Sequence, residues 1–344
     1  MKNRAFYMTA PMAMEPGEAP MPVMGDDDVL VKIQALGICG SDLHYFERGG
    51  LGACAVKYPY ILGHEAAGVV EDVGKNVKNF KKGDRVTMEP GIPCFKCEYC
   101  LNGLYHLCPD LRFWATPPYD GCLMDYVAHP AAFTYKLPDN VSVREGALVE
   151  PLAVGLSAAD KGNIKLGETV VIMGAGCIGL VTLLVAKARG AAKIIITDVI
   201  ESRLEAAKKM GGITINAKTE DVISRVMELT DGRGAEVIVD CCGSCQTVAQ
   251  SLKVARPFGR IVWVGLADDI INGIVMSDVA DKELTIAAIH RYRNQYPTAI
   301  NAIASGAIDI SQIISNEYKF EDTVFAFEDC IKNIQNVVKG VIMY

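Results

Sequence analysis

The run Val170-Val171-Ile172-Met173 leads straight into Gly174-Ala175-Gly176-Cys177-Ile178-Gly179. Thr169–Met173 reads as a buried strand, and the apolar positions over 177–190 recur with the period of a helix. A strand that becomes a helix through three glycines leaves few folds open. Gly174 permits the tight turn, Gly176 lets the backbone approach a pyrophosphate, and Gly179 lets the helix pack close on the strand. The helix N-terminus adds free amides and a partial positive charge for phosphates. The bare glycine pattern occurs by chance, but a strand before it and a helix after it give it weight.

The alternation continues. Segments 193–197, Ala235–Asp240, 260–264 and 284–289 read as strands, and 202–210, 220–230 and 246–255 as helices. Strands alternating with helices predict an α/β, doubly wound parallel sheet. The second strand ends at Asp198, about twenty residues after Gly179. A carboxylate there accepts hydrogen bonds from ribose hydroxyls and repels a 2′-phosphate, which favours NAD over NADP. Arg203 is the kind of residue that holds a 2′-phosphate, so the two residues pull in opposite directions, with Asp198 favoured.

Before residue 150 the pattern differs. Short β-like segments, 29–33, 67–73 and 82–86, are separated by glycines and prolines, as in a partly open β-barrel with long loops. After residue 290, segments 296–305 and 323–336 look helical, and 340–344 is a strand-like run that returns to the first domain. The expected division is 1–153, with a cysteine lobe near 90–110, then 154–290, then 291–344. A length of 344 residues suits two domains, and with half of them hydrophobic a sizeable core can be buried. A formal charge of −7 argues against a nucleic-acid groove or an anionic membrane surface as partner. No run of about twenty apolar residues predicts a membrane span. The N-terminus has Lys2 and Arg4 but no apolar stretch like that of a signal peptide, so a reducing cytoplasm is the expected compartment.

In that compartment clustered cysteines read as metal ligands before disulfides. Cys94-x2-Cys97-x2-Cys100-x7-Cys108 is the most specific spacing in the chain. Four thiolates make a closed tetrahedral zinc site, structural because no position stays open. An iron–sulfur cluster is the chemical competitor. The other cysteines read as small core residues or bystanders.

A second donor set comes from three separate segments: Cys39, the pair His64-Glu65, and Glu150 after a strand-like run at the domain junction. One thiolate, one imidazole and two carboxylates match a catalytic zinc, which takes about three protein ligands and leaves a place for water or substrate. Asp42 is expected behind these ligands rather than among them. His106 and His129 read as bystanders.

Taken together, Gly63-His64-Glu65, the four-cysteine lobe and the glycine loop after a barrel-like half resemble the zinc-dependent medium-chain dehydrogenases. Within them the sorbitol and xylitol dehydrogenases are most similar. The residues that carry the likeness are Gly-Ile-Cys-Gly-Ser-Asp at 37–42 with His44-Tyr45, Ala115-Thr116-Pro117-Pro118 with Asp120-Gly121, 136–140, and 145–152. The resemblance implies a GroES-like catalytic domain, a Rossmann domain, and a homo-oligomer, tetramer or dimer. It implies that Cys39, His64 and Glu65 hold the catalytic zinc, with Glu150 orienting its water or ligating directly. It further implies that Ile178, Asp198, Arg203, Val264, Gly265, Leu266, Ile289, His290 and Arg291 line NAD. Ser41 and His44 would relay a proton, and Tyr45, Glu150, Arg291 and Tyr292 would contact a polyol. Two departures stand out. The mammalian sorbitol dehydrogenases lack the four-cysteine lobe, and they carry an aromatic residue where this chain has His290.

Three functions remain open on the sequence: an NAD-dependent polyol dehydrogenase; another zinc dehydrogenase of this architecture, acting on L-threonine or a simple alcohol; and a catalytically silent zinc- and nucleotide-binding protein.

Overall fold

The structure is a computed structural model that describes residues 2–52, 54–267, 270–272 and 274–344. The chain divides into two compact units. One comprises the residues up to Glu150 with Tyr296–Gly306 and Ile314–Tyr344, the other Pro151–Gln295 with Ala307–Ile313.

The first unit is built on a seven-stranded sheet around the strand Asp28–Gly37. Val29, Val31 and Ile33 are fully buried while Lys32 is exposed, the period-two pattern of a strand with one face to a core. Beyond Ile33 both faces are covered, and Ala35 and Leu36 are buried in turn. On one side this strand pairs antiparallel with Glu65–Val73, which pairs with Arg85–Met88 and then Thr134–Lys136. On the other it pairs with Tyr126–Pro130 along 28–32 and with Gly340–Met343 along 35–37. Two partner strands thus share one edge of the central strand. The chain end joins this sheet: Gly340–Met343 lies beside Asp28–Gly37, with Asn316–Lys319 parallel to it at the edge. Asn316–Lys319 is a strand that hydropathy does not announce, because its sequence Asn-Glu-Tyr-Lys is polar and only Tyr318 is buried.

The second unit holds six parallel strands in the order Ile213–Asn216, Lys193–Asp198, Thr169–Met173, Ala235–Asp240, Ala255–Trp263, Thr285–Ala288. This is the doubly wound dinucleotide-fold order, whose direction reverses between the first strand and the fourth. Ile213–Asn216, like Asn316–Lys319, has no counterpart among the expected strands, since it is four residues long and follows Gly211-Gly212. The helix Cys177–Ala188 is buried nearly all round, from Gly179 to Ala186.

Two local expectations differ from the structure. Glu150 does not follow a strand: Ser142 caps a short helix, Val143–Ala147, and Glu150 is the second residue of the next, Val149–Lys161. The Ser142–Glu145 capping box is the helix-start signal that a strand-like reading of an apolar run passes over. The expected third segment, 291–344, is split: 291–295 and 307–313 belong to the second unit, and Tyr296–Gly306 and Ile314–Tyr344 to the first. The buried Ile310 and Ile313 sit in a turn packed against the helix Cys177–Ala188. Among the described residues no helix is long and apolar enough to cross a membrane.

Candidate functional site

The end of the central strand and the start of its neighbour bring the first donor set together. Gly37 pairs with Glu65 across the two strands. A Cβ at Gly37 would come within 2.0 Å of Glu65 Oε2, so only glycine leaves room for that carboxylate. Two residues beyond the end of the strand Asp28–Gly37, Cys39 caps the helix Gly40–Arg48. The donor atoms of Cys39, His64 and Glu65 lie within 4.8 Å of one another. Glu150 is not part of that group. It is buried, in the first turn of its own helix, and close enough to Glu89 for its charge to be felt there.

Asp42 is fully buried beside the group. Its Oδ2 accepts from the Cys39 amide at 3.3 Å, its Oδ1 accepts from the Gly63 amide at 3.1 Å, and Oδ1 lies 3.5 Å from His64 Nδ1. Burial alone would lower the His64 pKa. The negative charge of Asp42 and Cys39 outweighs it and holds the value well above the ordinary one. A field that retains a proton on a buried imidazole also favours a metal cation, so the donor set fits zinc.

Lys339 is the residue that sequence reasoning misses. It is 3% exposed, donates to Ile38 O at 2.8 Å and to Glu65 Oε1 at 2.6 Å, and approaches Oε2 at 2.5 Å. A buried carboxylate is paired here with a buried ammonium. No local motif marks Lys339; only its place just before Gly340–Met343 puts it beside the pair.

Ser41, His44 and Tyr45 all lie on the helix Gly40–Arg48. Burial, and then the charge of Arg48, lower the pKa of His44. Tyr45 is buried edge-on to Tyr60, whose hydroxyl donates to Tyr119 O at 2.7 Å. Tyr60 lines a cavity of about 260 Å³ with Cys54, Lys57, Pro117 and Pro118. On the other side of the group the Phe113 ring lies 5.7 Å from the His64 ring.

The four cysteines of the lobe form the other group of donors, also within 4.8 Å of one another. The Cys97 and Cys100 sulfurs are 3.4 Å apart, and those of Cys94 and Cys100 3.9 Å. Zinc–sulfur bonds of about 2.3 Å in a tetrahedron give sulfur edges of roughly 3.8 Å, so the spacing fits zinc. The amide of Cys97 donates to Cys94 Sγ and that of Cys94 to Cys108 Sγ, both at 3.3 Å. Backbone hydrogen bonding, from Lys96 first, lowers Cys94 to about 7, while burial pushes Cys100 up to about 12.

In the second unit Gly174 sits at φ +96 and ends the first strand, and a Cβ at Gly179 would meet Gly174 O at 1.8 Å. Around Gly176 the nearest group is the Arg203 guanidinium, 3.8 Å from where a Cβ would lie. Ile178 is in the first turn of the helix that follows. Asp198 ends the second strand. Its Oδ2 accepts from the Ala175 amide at 2.7 Å, and its Oδ1 from Val199 and Ile200 at 2.7 and 2.9 Å. Arg203 approaches Asp198 to 3.9 Å, and its Nε is buried without a hydrogen-bond partner among the described residues. A glycine cradle with a cation beside it suits the phosphates of a dinucleotide. Asp240, fully buried, organises the facing loop: Oδ1 takes the Cys242 and Gly243 amides, and its backbone carbonyl takes those of Val264 and Gly265. Leu266 is largely exposed, the Ile289 amide donates to Trp263 O at 3.2 Å, and His290 is exposed, with its pKa lowered by partial desolvation and then by Arg291. Arg291 adopts φ +57, and Tyr292 is buried.

The comparisons with known proteins agree with both halves. The alcohol dehydrogenase GroES-like domain matches residues 25–139, and the zinc-binding dehydrogenase family matches 177–305. The chain is 46% identical to a D-xylulose reductase of Morganella morganii, over 89% of this chain and 90% of that protein. It is 40% identical to a sorbitol dehydrogenase of Bacillus subtilis, covering 100% and 97%. The solved structure of an Escherichia coli oxidoreductase/dehydrogenase of unknown specificity superposes with a TM-score of 0.95 at 43% identity, covering 100% and 99%.

Proposed function

Because the chain belongs to the zinc-dependent medium-chain dehydrogenases, and is thus an oxidoreductase acting on alcohols, we propose that it oxidises a secondary hydroxyl of a sugar alcohol to the ketose, with NAD as acceptor. The observation that carries this reading is the mixed group Cys39, His64 and Glu65, its His64 and Glu65 buried and backed by Asp42 and Lys339. The names of the relatives, a D-xylulose reductase and a sorbitol dehydrogenase, support the polyol class.

Cys39, His64 and Glu65 would hold the catalytic zinc, and Cys94, Cys97, Cys100 and Cys108 a structural one. Zinc, when bound, supplies a Lewis acid that lowers the pKa of a substrate hydroxyl, while the nicotinamide takes the hydride. The chain's own residues do the rest. Asp42, with Oδ1 3.5 Å from His64 Nδ1, would back the His64 ring with a negative charge. Ser41 and His44, three apart on one helix, share a face and can pass a proton outward. Its lowered pKa keeps His44 neutral and ready to accept that proton near neutral pH. Glu150 accepts a hydrogen bond from the reacting hydroxyl or from water, and Tyr45, Arg291 and Tyr292 hold further hydroxyls of the polyol. The glycine loop and Arg203 bind the pyrophosphate of NAD, Asp198 takes the adenosine ribose, and Val264, Gly265, Leu266, Ile289 and His290 complete that site. A cytoplasmic homo-oligomer suits the family.

A panel of sugar alcohols, simple secondary alcohols and L-threonine, followed by NADH absorbance, tests the reading. Sugar alcohols should show the highest kcat/KM, and NAD should exceed NADP. Asp198→Ala should narrow the cofactor gap by about tenfold, since like-charge repulsion of a 2′-phosphate is worth roughly 1–2 kcal/mol in a partly desolvated site. A preference for threonine or a simple alcohol would remove the polyol assignment, and a wild-type preference for NADP the cofactor assignment.

A further inference from the structure

Resting on the reading of Cys39, His64 and Glu65 as the active-site metal group, we propose that Glu89 is a positioning residue of that site. Its buried carboxyl ties the four-cysteine lobe to the segment that holds Phe113 against His64. Glu89 follows the strand Arg85–Met88 and is 2% exposed. Its Oε1 accepts from the Tyr105 hydroxyl at 2.7 Å, and its Oε2 from the Tyr135 hydroxyl at 3.1 Å. Tyr105 belongs to the lobe, between Cys100 and Cys108. Its ring packs edge-on against Phe133 at 5.3 Å, and Phe133 O accepts the Glu89 amide at 2.9 Å. Tyr135 packs on Tyr296 at 5.2 Å, and the Tyr296 hydroxyl donates to Met88 O at 3.0 Å. Both phenols that hold Glu89 are thus themselves held.

The chain leaving Glu89 leads directly to the metal group. Pro90 O accepts the Trp114 amide at 3.2 Å, and Gly91–Ile92 pairs antiparallel with Arg112–Phe113. A Cβ at Gly91 would lie 3.1 Å from the Phe113 ring, so the two strands are in close register. The Phe113 ring in turn packs 5.7 Å from that of His64. Movement of residue 89 is therefore passed through three residues to the ring beside the candidate ligand.

A carboxyl is a costly group to bury, and an apolar side chain would fill the same place without that cost. Two phenols and a fixed backbone amide make the acid directional where an apolar side chain would not be. Burial, with the charge of Glu150 adding to it and the phenols opposing, pushes Glu89 up to about 7, so much of it is the neutral acid at neutral pH.

Trp114 gives a reporter that does not depend on activity. The chain has two tryptophans, so Trp263→Phe leaves Trp114 as the only one. In that background Glu89→Leu should shift the Trp114 emission and raise the polyol KM by about tenfold or more, since small misplacements at an active site carry such losses. The KM for NAD should not change. Glu89→Gln keeps an acceptor for a phenol and should stay within about threefold of the parent, and Tyr105→Phe should move both readouts the same way but less. Parent-like emission and polyol KM in a folded Glu89→Leu protein would overturn the proposal, whatever its melting temperature. If Glu89→Leu does not fold, an unchanged emission in Tyr105→Phe overturns it instead. If the parent oxidises no polyol, the proposed function fails, while the emission of Trp114 still decides the role of Glu89.

Discussion

The two metal-type groups of the first unit are built in opposite ways. The four-cysteine lobe gathers its donors from fifteen consecutive residues, and two of its sulfurs accept hydrogen bonds from amides of the same loop. The Cys39–His64–Glu65 group draws on three neighbouring strands. Asp28–Gly37 leads to Cys39, Glu65–Val73 begins with Glu65, and Gly340–Met343 is preceded by Lys339. Loop closure over a few residues is cheap, so the lobe needs little beyond its own loop. The other group exists only when the sheet does, and its charges are buried as a set. A change in the lobe should therefore stay mostly local, whereas a change in the sheet-built group should reach catalysis or global stability.

The largest expected effect is on catalysis. Glu150→Gln keeps size and shape but removes the carboxylate, and kcat/KM should fall by about two to four powers of ten, the range for a lost acid–base or positioning group. Zinc content and NAD affinity should hold. Near-wild-type turnover with full zinc would separate Glu150 from the site.

Lys339→Met should act on stability. It leaves Glu65 buried without its ammonium, and breaking a buried pair typically costs about 3–5 kcal/mol. The loss, read by denaturant unfolding, should be smaller in zinc-loaded than in metal-free protein, because the cation replaces the lost charge. Adding Glu65→Gln should recover much of the metal-free deficit. Equal losses with and without zinc would break the link between Lys339 and the metal group.

Acid unfolding sharpens the contrast within the barrel. Burial depresses His129, fully enclosed against Trp114, from 6.5 to about 4. The unfolded chain therefore binds the proton first, and stability falls as pH drops from about 6.5 to 4, by about 3 kcal/mol. Glu89, raised by burial from 4.5 to about 7, has the opposite sign. There the folded state binds the proton first, and stability rises by a similar amount as pH drops from about 7 to 4.5. The two contributions offset each other in the wild type. Glu89→Gln removes one, so its stability between pH 7 and 4 should fall about 3 kcal/mol further than that of wild type. Parallel curves would show that the Glu89 carboxyl is not held in its neutral form.

The smallest effect on catalysis should come from the lobe. Cys97→Ser should release one of two zincs and lower the melting temperature, because a structural site couples metal to local folding. kcat/KM should drop by no more than about tenfold, the share transmitted through Tyr105. Loss of both zincs would show that the lobe is not the self-contained element its short span implies.

Local patterns were legible without a structure. The glycine loop is visible because a tight turn, a phosphate approach and a close helix each demand glycine at a fixed offset. The lobe is visible because four ligands fit within one loop. Cys39 and the pair His64-Glu65 stand out through flanking residues that resemble a family, not through any spacing of their own. What tertiary structure decided is charge compensation between remote residues. Lys339 reaches Glu65 across 274 positions, and the Asp42 carboxylate takes the Gly63 amide across 21. Glu89 collects a phenol from the lobe and another from the strand Thr134–Lys136. Hydropathy and periodicity record which face of an element is buried. They do not record which buried charge meets which, because that depends on strand order, and strand order is set by the packing of the whole sheet.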